Sequence, residues 1–140
     1  MRETMLTGDG RPMIRDIRPF EFDYDGRTIT LQMPGWYDPE GREDSVHGPD
    51  DMRVSDRALN RLRAMDQGLL LPEEVRAIRK RLKLTQREAG DLVGGGPNAF
   101  QKYEAGDILV SRAVMSALLL LNRDPGGLEV LRARRATPAA

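Results

Sequence analysis

The chain has no cysteine and one histidine, His47. Disulfides, thiolate metal centres, thiol nucleophiles and histidine-cluster metal sites are therefore excluded. His47 sits in a polar stretch, residues 45–51, and reads as a surface residue rather than a catalyst. No apolar run is long enough to span a membrane. Residues 1–4, Met-Arg-Glu-Thr, lack the apolar core of a signal peptide, so the expected location is the cytoplasm. Net charge is lacking too: 22 basic residues balance 22 acidic ones.

The charge is unevenly placed. Residues 1–70 hold ten Arg against fourteen Asp or Glu, net −4, while residues 71–140 hold twelve Lys or Arg against eight acids, net +4. Taken alone, such a difference is ordinary solvated charge. An acidic half joined to a basic half also fits two jobs, with the basic half on nucleic acid.

What is present points the same way. Leu84-Thr85-Gln86-Arg87-Glu88-Ala89-Gly90 is followed by Gly94-Gly95-Gly96-Pro97-Asn98-Ala99-Phe100 and Gln101-Lys102-Tyr103-Glu104-Ala105-Gly106. Thr85 with Glu88 forms a capping box and predicts a helix start. The three glycines end that helix and allow the positive φ of a tight turn. Pro97 suits the first position of the next helix, where a missing donor costs nothing. Asn98 then falls in the first turn, facing outward. Phe100 and Tyr103, three apart, face the core. Two short helices around a glycine turn fit a helix-turn-helix, whose second helix enters the DNA major groove. Asn pairs with adenine and Lys donates to guanine, which makes Asn98 and Lys102 candidate base readers. The plainer alternative is a surface loop with Asn98 as a helix cap. The capped, amphipathic segments on both sides favour the DNA reading.

Upstream, Phe20, Phe22 and Tyr24 alternate with acidic residues, Asp25-Gly26 follows, and Ile29, Leu31 and Met33 alternate with polar ones. Period-two alternation around Asp-Gly predicts a β-hairpin, which Ile14 and Ile17 extend. Residues 38–52, rich in Asp, Glu, Gly and Pro, read as an exposed loop. Ser55 is expected to start a helix reaching Met65, with Leu59, Leu62 and Met65 on one face. Pro72 opens a helix that buries Val75, Ile78 and Leu82 and exposes Arg76, Arg79, Lys80, Arg81 and Lys83. Such a face is commonly just solvated, but beside a helix-turn-helix it can contact phosphates. Arg79, Lys83, Gln86, Arg87 and Gln101 are the candidate phosphate contacts. Ser111 can cap a further helix, and residues 113–121 are apolar nearly all round, which requires two partners. One is the domain core. The other is either the same helix in a second subunit or a final helix carrying Leu128 and Leu131. Val114, Leu118 and Leu121 are the expected homodimer face.

The segment Leu-Thr-Gln-x-Glu-Ala with Gly-Gly-Gly-x-Asn-Ala-Phe-x-x-Tyr-Glu-x-Gly resembles the C-terminal half of the MqsA (YgiT-type) antitoxins of type II toxin–antitoxin modules, within the Xre/Cro-like helix-turn-helix class. The signature covers residues 94–106 without a gap, and a weaker likeness spans almost the whole chain. The resemblance implies an α+β fold. A small N-terminal β-hairpin domain over residues 1–66 binds a ribonuclease toxin. A linker at 67–71 leads to an all-α, five-helix helix-turn-helix domain over 72–132, which dimerises and binds a palindrome in double-stranded DNA. From its own composition, Arg134, Arg135, Pro138 and alanines, the tail over 133–140 is expected to be disordered. The base-contacting asparagine and arginine of that family fall on Asn98 and Lys102. Lysine lacks the planar fork of arginine, so reading there is looser.

The family also holds zinc between two Cys-x-x-Cys knuckles. Asp38 and Gly41 stand at the second pair, and Met5 and Gly8 fall at the first. One carboxylate does not replace four thiolates, so no metal and no cofactor is expected. Packing of Phe20, Phe22, Ile29, Leu31, Trp36 and Tyr37 is then expected to hold the N-terminal fold. Phe20, Phe22, Tyr24, Ile29 and Leu31 are the candidate toxin contacts, through either a strand edge or an apolar face. The alternative function is a stand-alone repressor with an N-terminal sensing domain. An enzyme is a third reading: Asp23, Asp25, Asp38, Glu40, Glu43 and Asp44 could host a cation or an acid–base pair, but no nucleophile, phosphate loop or histidine stands beside them.

Overall fold

A computed structural model describes residues 3–135. Four strands precede six helices among them: β1 (Thr4–Leu6), β2 (Pro12–Tyr24), β3 (Arg27–Tyr37), β4 (Ser45–Val46), α1 (Pro49–Gln67), α2 (Pro72–Arg81), α3 (Gln86–Leu92), α4 (Ala99–Ala105), α5 (Arg112–Arg123) and α6 (Gly127–Arg135). The fold is α+β. The chain divides into two compact units, Met1–Leu59 and Asn60–Ala140, so the division falls inside α1 rather than at residue 66.

The N-terminal unit carries a four-stranded antiparallel sheet in the order β1-β2-β3-β4, so the expected hairpin is its centre rather than its whole. β2 and β3 pair from Ile14↔Tyr37 out to Tyr24↔Arg27. Asp25 and Gly26 close the hairpin with φ of 48° and 75°. Two successive positive φ values match the right-handed twist of the flanking strands, which is why Asp-Gly is favoured there. The buried hydrophobic residues of this unit are Met13, Met33 and Tyr37, whose hydroxyl donates to the Met33 carbonyl at 2.6 Å. The expected core is thus corrected: Phe20 is 37% exposed, and Phe22, Ile29, Leu31 and Trp36 are half-buried.

The expected loop at 38–52 is shorter than its composition implies. α1 begins at Pro49, not Ser55. Pro49 takes the first helical position, where its missing N–H leaves no bond unmade. Asp51 reaches back to accept from the Gly48 N–H at 2.8 Å, doing for this helix what the N3 glutamate of a capping box does. Ser55 is buried inside the helix and donates to the Met52 carbonyl. Of the face expected on this helix, Leu59 and Leu62 are half-buried, but Met65 is 59% exposed and Ala64 is buried instead.

The C-terminal unit is all-helical. Its core joins Ala64, Leu69, Val75, Ile78, Leu82, Ala89, Phe100, Tyr103, Val114, Leu118, Leu121 and Leu128, among others. Five helices are expected here; the unit holds α2 to α6 and, in addition, the last turns of α1, so the five-helix count is not matched exactly. The expected linker is part of this core: Leu69 is buried, and Leu70 and Leu71 pack against it. Gly68, at φ 68°, ends α1 and lets the Leu69 N–H return to the Ala64 carbonyl at 2.8 Å. At the other end, residues 133–135 continue α6 rather than opening a tail, and Arg135 donates to the Asp91 carbonyl at the end of α3. The rest of the expected tail, 136–140, lies outside the described residues.

Candidate nucleic-acid and partner interfaces

α3 starts where its sequence demands. Thr85 Oγ1 accepts from the Glu88 N–H, and a Glu88 oxygen accepts from the Thr85 N–H, both at 3.1 Å. Hydrogen bonding from the Thr85 backbone, and then from its hydroxyl, holds the Glu88 carboxyl below its usual range. After α3 the three glycines take φ of 137°, 95° and 90°. The turn they form folds back onto Gly90, whose carbonyl accepts from the Gly96 N–H. A Cβ on Gly90 would lie 1.9 Å from the Gly96 oxygen, so only glycine permits this approach. The turn delivers the chain into α4, where Phe100 and Tyr103 bury their rings edge to face at 5.5 Å. Gly106, at φ 84°, ends that helix.

Pro97 lies outside α4, and Asn98 is the cap residue rather than a first-turn residue. Its side chain makes no cap bond and is exposed. A cap residue whose amide is not engaged with its own helix is free to present that amide to a ligand. Gln101 and Lys102 are exposed one turn further on, on the side away from Phe100 and Tyr103. Lys83 and Arg87 are exposed, and Gln86 is partly so at the start of α3. The turn between α3 and α4 therefore places Asn98 at the cap of α4 and Gln101 and Lys102 within it, with Gln86 and Arg87 on the helix before.

Arg79 does not join them. Its Nε and one terminal nitrogen donate to the two Glu104 oxygens, both at 2.7 Å, and its other terminal nitrogen donates to the Leu84 carbonyl at 2.9 Å. The two side chains are 11% and 6% exposed. Each nitrogen of this guanidinium donates a bond inside the unit, tying α2 to α4, and the side chain is buried, so Arg79 does not stand open to a phosphate. Arg81 is likewise engaged, with the Asn122 carbonyl and side chain. Helical periodicity alone puts both on an open basic face.

Val114, Leu118 and Leu121 are buried in the core of their own unit, at 6%, 0% and 6% exposure. They cannot also form an open dimer face. The apolar side chains left in solvent on α5 are Leu119 and Leu120, at 47% and 70%. The near-uniform apolar character of this helix arises from a buried face and a neighbouring exposed one.

In the N-terminal unit, Phe20 packs against Phe22 with tilted rings 5.3 Å apart and meets His47 edge to face at 5.5 Å. Phe20 and Leu31 are register partners, as are Phe22 and Ile29, so the four share one face of the hairpin. Tyr24 faces Arg27 near the turn, with the guanidinium 5.4 Å from its ring. His47 is more than a surface residue: its ring nitrogens lie 2.9 Å from the Pro34 carbonyl and 3.0 Å from Ser45 Oγ.

The zinc centre that the resemblance implies does not fit these residues. Asp38 is buried, but its Oδ1 accepts from the Glu40 N–H at 2.7 Å and its Oδ2 faces Arg42 at 3.8 Å. Its carbonyl accepts from Arg18 at 2.9 Å, and Gly41 closes the turn by donating to that same carbonyl. The first turn is closed by side chains as well. Thr7 Oγ1 accepts from the Arg11 N–H and donates to Asp9, while Arg11 bridges Asp9 at 3.1 Å and Asp44 at 2.6 Å. Among the described residues no group of three or more His, Asp or Glu side chains is placed to hold a metal. Hydrogen-bonded turns, linked by Arg11 to Asp44, stand where metal knuckles would. The acidic residues weighed for an enzyme are used structurally at Asp38 and Asp44.

No described helix is long and apolar enough to cross a membrane. Over residues 4–132 the sequence matches the family described as the antitoxin component of bacterial toxin–antitoxin system, MqsA. It is 29% identical over 122 residues to Antitoxin MqsA of Escherichia coli (strain K12), an alignment covering 86% of this chain and 92% of that protein. A family match over nearly the whole length settles the assignment: the chain belongs to the MqsA family of antitoxins.

Proposed function

We propose that this antitoxin neutralises an mRNA-cleaving ribonuclease toxin through its N-terminal unit, without a metal, and represses its own operon through its C-terminal unit in the cytoplasm. The observation that carries the second half is the exposed, uncapped Asn98 beside Gln101 and Lys102 at the start of α4. In this reading Asn98 and Lys102 contact base edges in the major groove, while Lys83, Gln86, Arg87 and Gln101 fix the helix against phosphates. A two-fold dimer then reads a palindrome with half-sites about one helical turn apart. Leu119 and Leu120, rather than Val114, Leu118 and Leu121, provide the apolar contact between copies, because only they are exposed. Family membership favours this reading over a stand-alone repressor, and it supplies a toxin as the partner. An acidic N-terminal half suits a basic ribonuclease, since complementary charge speeds encounter.

The test is co-purification of the chain with the protein encoded by the adjacent reading frame, with and without a chelator. We expect a stable complex, abolished ribonuclease activity and no stoichiometric zinc, unchanged by chelation. Loss of the complex on chelation would overturn the metal-free reading, and equal neutralisation by residues 60–140 alone would move the toxin contact to the other unit.

A further inference from the structure

The geometry points to one route for toxin capture: a strand of the toxin adds to the outer edge of β3 at Thr28, Thr30 and Gln32. This rests on the reading that the N-terminal unit binds the toxin, and it chooses between the strand edge and the apolar face that the hairpin offers.

The hairpin extends well beyond its neighbours. β1 pairs with β2 only as far as Ile14, with one further bond from the Arg15 N–H to the Glu3 carbonyl. β4 pairs with β3 only at Trp36 and Tyr37. Among the described residues, 16–35 are therefore a two-stranded ribbon with both edges bare of other strands. Successive residues of a strand direct their N–H and C=O groups to opposite sides, so one anchor fixes the pattern for each strand. The Arg15 N–H points to β1, so odd-numbered residues of β2 face outward. The Pro34 carbonyl points to His47, so even-numbered residues of β3 face outward. The register agrees, because Ile17↔Pro34, Pro19↔Gln32 and Glu21↔Thr30 are then all outward pairs. Both prolines fall where a missing N–H costs no ladder bond, as proline in a sheet must.

The two edges are not equivalent. On β2 the Ile17 N–H is bonded by the Asp16 carboxylate at 2.8 Å, and Pro19 has no N–H. Only Glu21 and Asp23 remain, both acidic and next to the turn. Capped donors, proline and charge are the devices by which edge strands refuse a partner. β3 has none of them over residues 28–32. Thr28, Thr30 and Gln32 are neutral and exposed, and their outward backbone groups form an unbroken run of three. An added strand would also carry every second side chain alongside Ile29 and Leu31, covering the half-exposed apolar face, with its polar side chains beside Thr30 and Gln32. The fitting partner segment is an extended strand of alternating apolar and polar residues.

Glu21 and Thr30 are directly opposite each other and both face outward, which gives a matched pair of variants. Thr30→Pro removes an outward N–H from the open edge, and Glu21→Pro removes one from the blocked edge. Neither removes a bond between β2 and β3. Using the full chain and the toxin encoded beside it, Thr30→Pro should weaken binding about ten-fold or more, the effect of leaving one buried backbone partner unpaired. Glu21→Pro should bind within about two-fold of wild type, and both should bind operator DNA normally. Should either proline variant misfold, amide hydrogen exchange on the wild-type complex answers the same question. The Thr28, Thr30 and Gln32 amides should become protected by toxin while those of Glu21 and Asp23 stay fast. A complex that forms without protecting those three amides overturns the edge assignment. A chain that binds no toxin at all overturns instead the reading beneath it.

Discussion

Arg79→Ala separates an architectural cation from a DNA-contacting one. The substitution removes three donated bonds, two to Glu104 and one to the Leu84 carbonyl. It leaves a carboxylate that is 6% exposed without its cation. Breaking one side of a buried, bidentate pair costs about 3–5 kcal/mol, most of it the uncompensated charge. That is a large share of the roughly 5–15 kcal/mol by which a domain is stable. With a urea dependence of about 2 kcal/mol per molar, the midpoint of the helical circular dichroism signal should fall by roughly 1.5–2.5 M. Replacing both partners, Arg79→Met with Glu104→Leu, should restore much of the loss, since an apolar pair of similar shape avoids the desolvation that the ions suffer. DNA binding measured where Arg79→Ala is still folded should keep the wild-type salt dependence. Arg87→Ala should do the opposite, changing stability by less than about 0.5 kcal/mol and lowering the salt slope by about one. An Arg79→Ala protein of unaltered stability with a reduced salt slope would refute the reasoning and return Arg79 to the phosphate contacts.

Two further outcomes follow from the geometry. Leu120→Glu should yield a folded monomer in sedimentation, whereas Leu118→Glu should unfold the C-terminal unit; a dimeric Leu120→Glu protein would place the interface elsewhere. The Asp51 carboxyl is held below its ordinary 3.8 chiefly by hydrogen bonds from Arg15, with a further bond from the Gly48 N–H. Its folded value is depressed, so its contribution is present above pH 3.8 and is lost as pH falls through the folded value. Acid unfolding followed by the fluorescence of Trp36, over which the Arg15 guanidinium packs at 5.3 Å, should lose part of its steepness in that window in Asp51→Asn; an unchanged acid profile would contradict this.

The sequence was most readable where structure is local. Thr85 with Glu88, Asp25-Gly26 and the glycine turn each act over a few residues, and each appears where its chemistry puts it. Pro97 misled because a proline near a helix start is compatible with more than one position, and here the helix begins two residues later. β1 and β4 are short and only weakly patterned, and their pairing with β2 and β3 defines them. Gly48-Pro49-Asp50-Asp51 has the composition of a loop and the order of a helix start, and order decided. Helical periodicity identified Val114, Leu118 and Leu121 as one face of α5, but periodicity does not say whether a face meets its own core or another chain. Arg79 looked like one basic residue among several because its partner, Glu104, lies on a different helix. The absence of cysteine was legible at once, but the hydrogen-bonded turns at Thr7 and Asp38 that take the place of knuckles depend on tertiary contacts from Arg11 and Arg18.

The central claim, that α4 reads DNA from an uncapped Asn98, is tested most directly by measuring Asn98→Ala affinity for the chain's own promoter and for scrambled DNA at one salt concentration. Asn98 makes no cap bond, so its loss should leave stability nearly unchanged. Affinity for the promoter palindrome should fall by about 1–3 kcal/mol for each base that Asn98 reads, with discrimination relaxed at one base of each half-site and scrambled-DNA binding unaltered. A variant that binds the palindrome as tightly and as selectively as wild type would contradict the account.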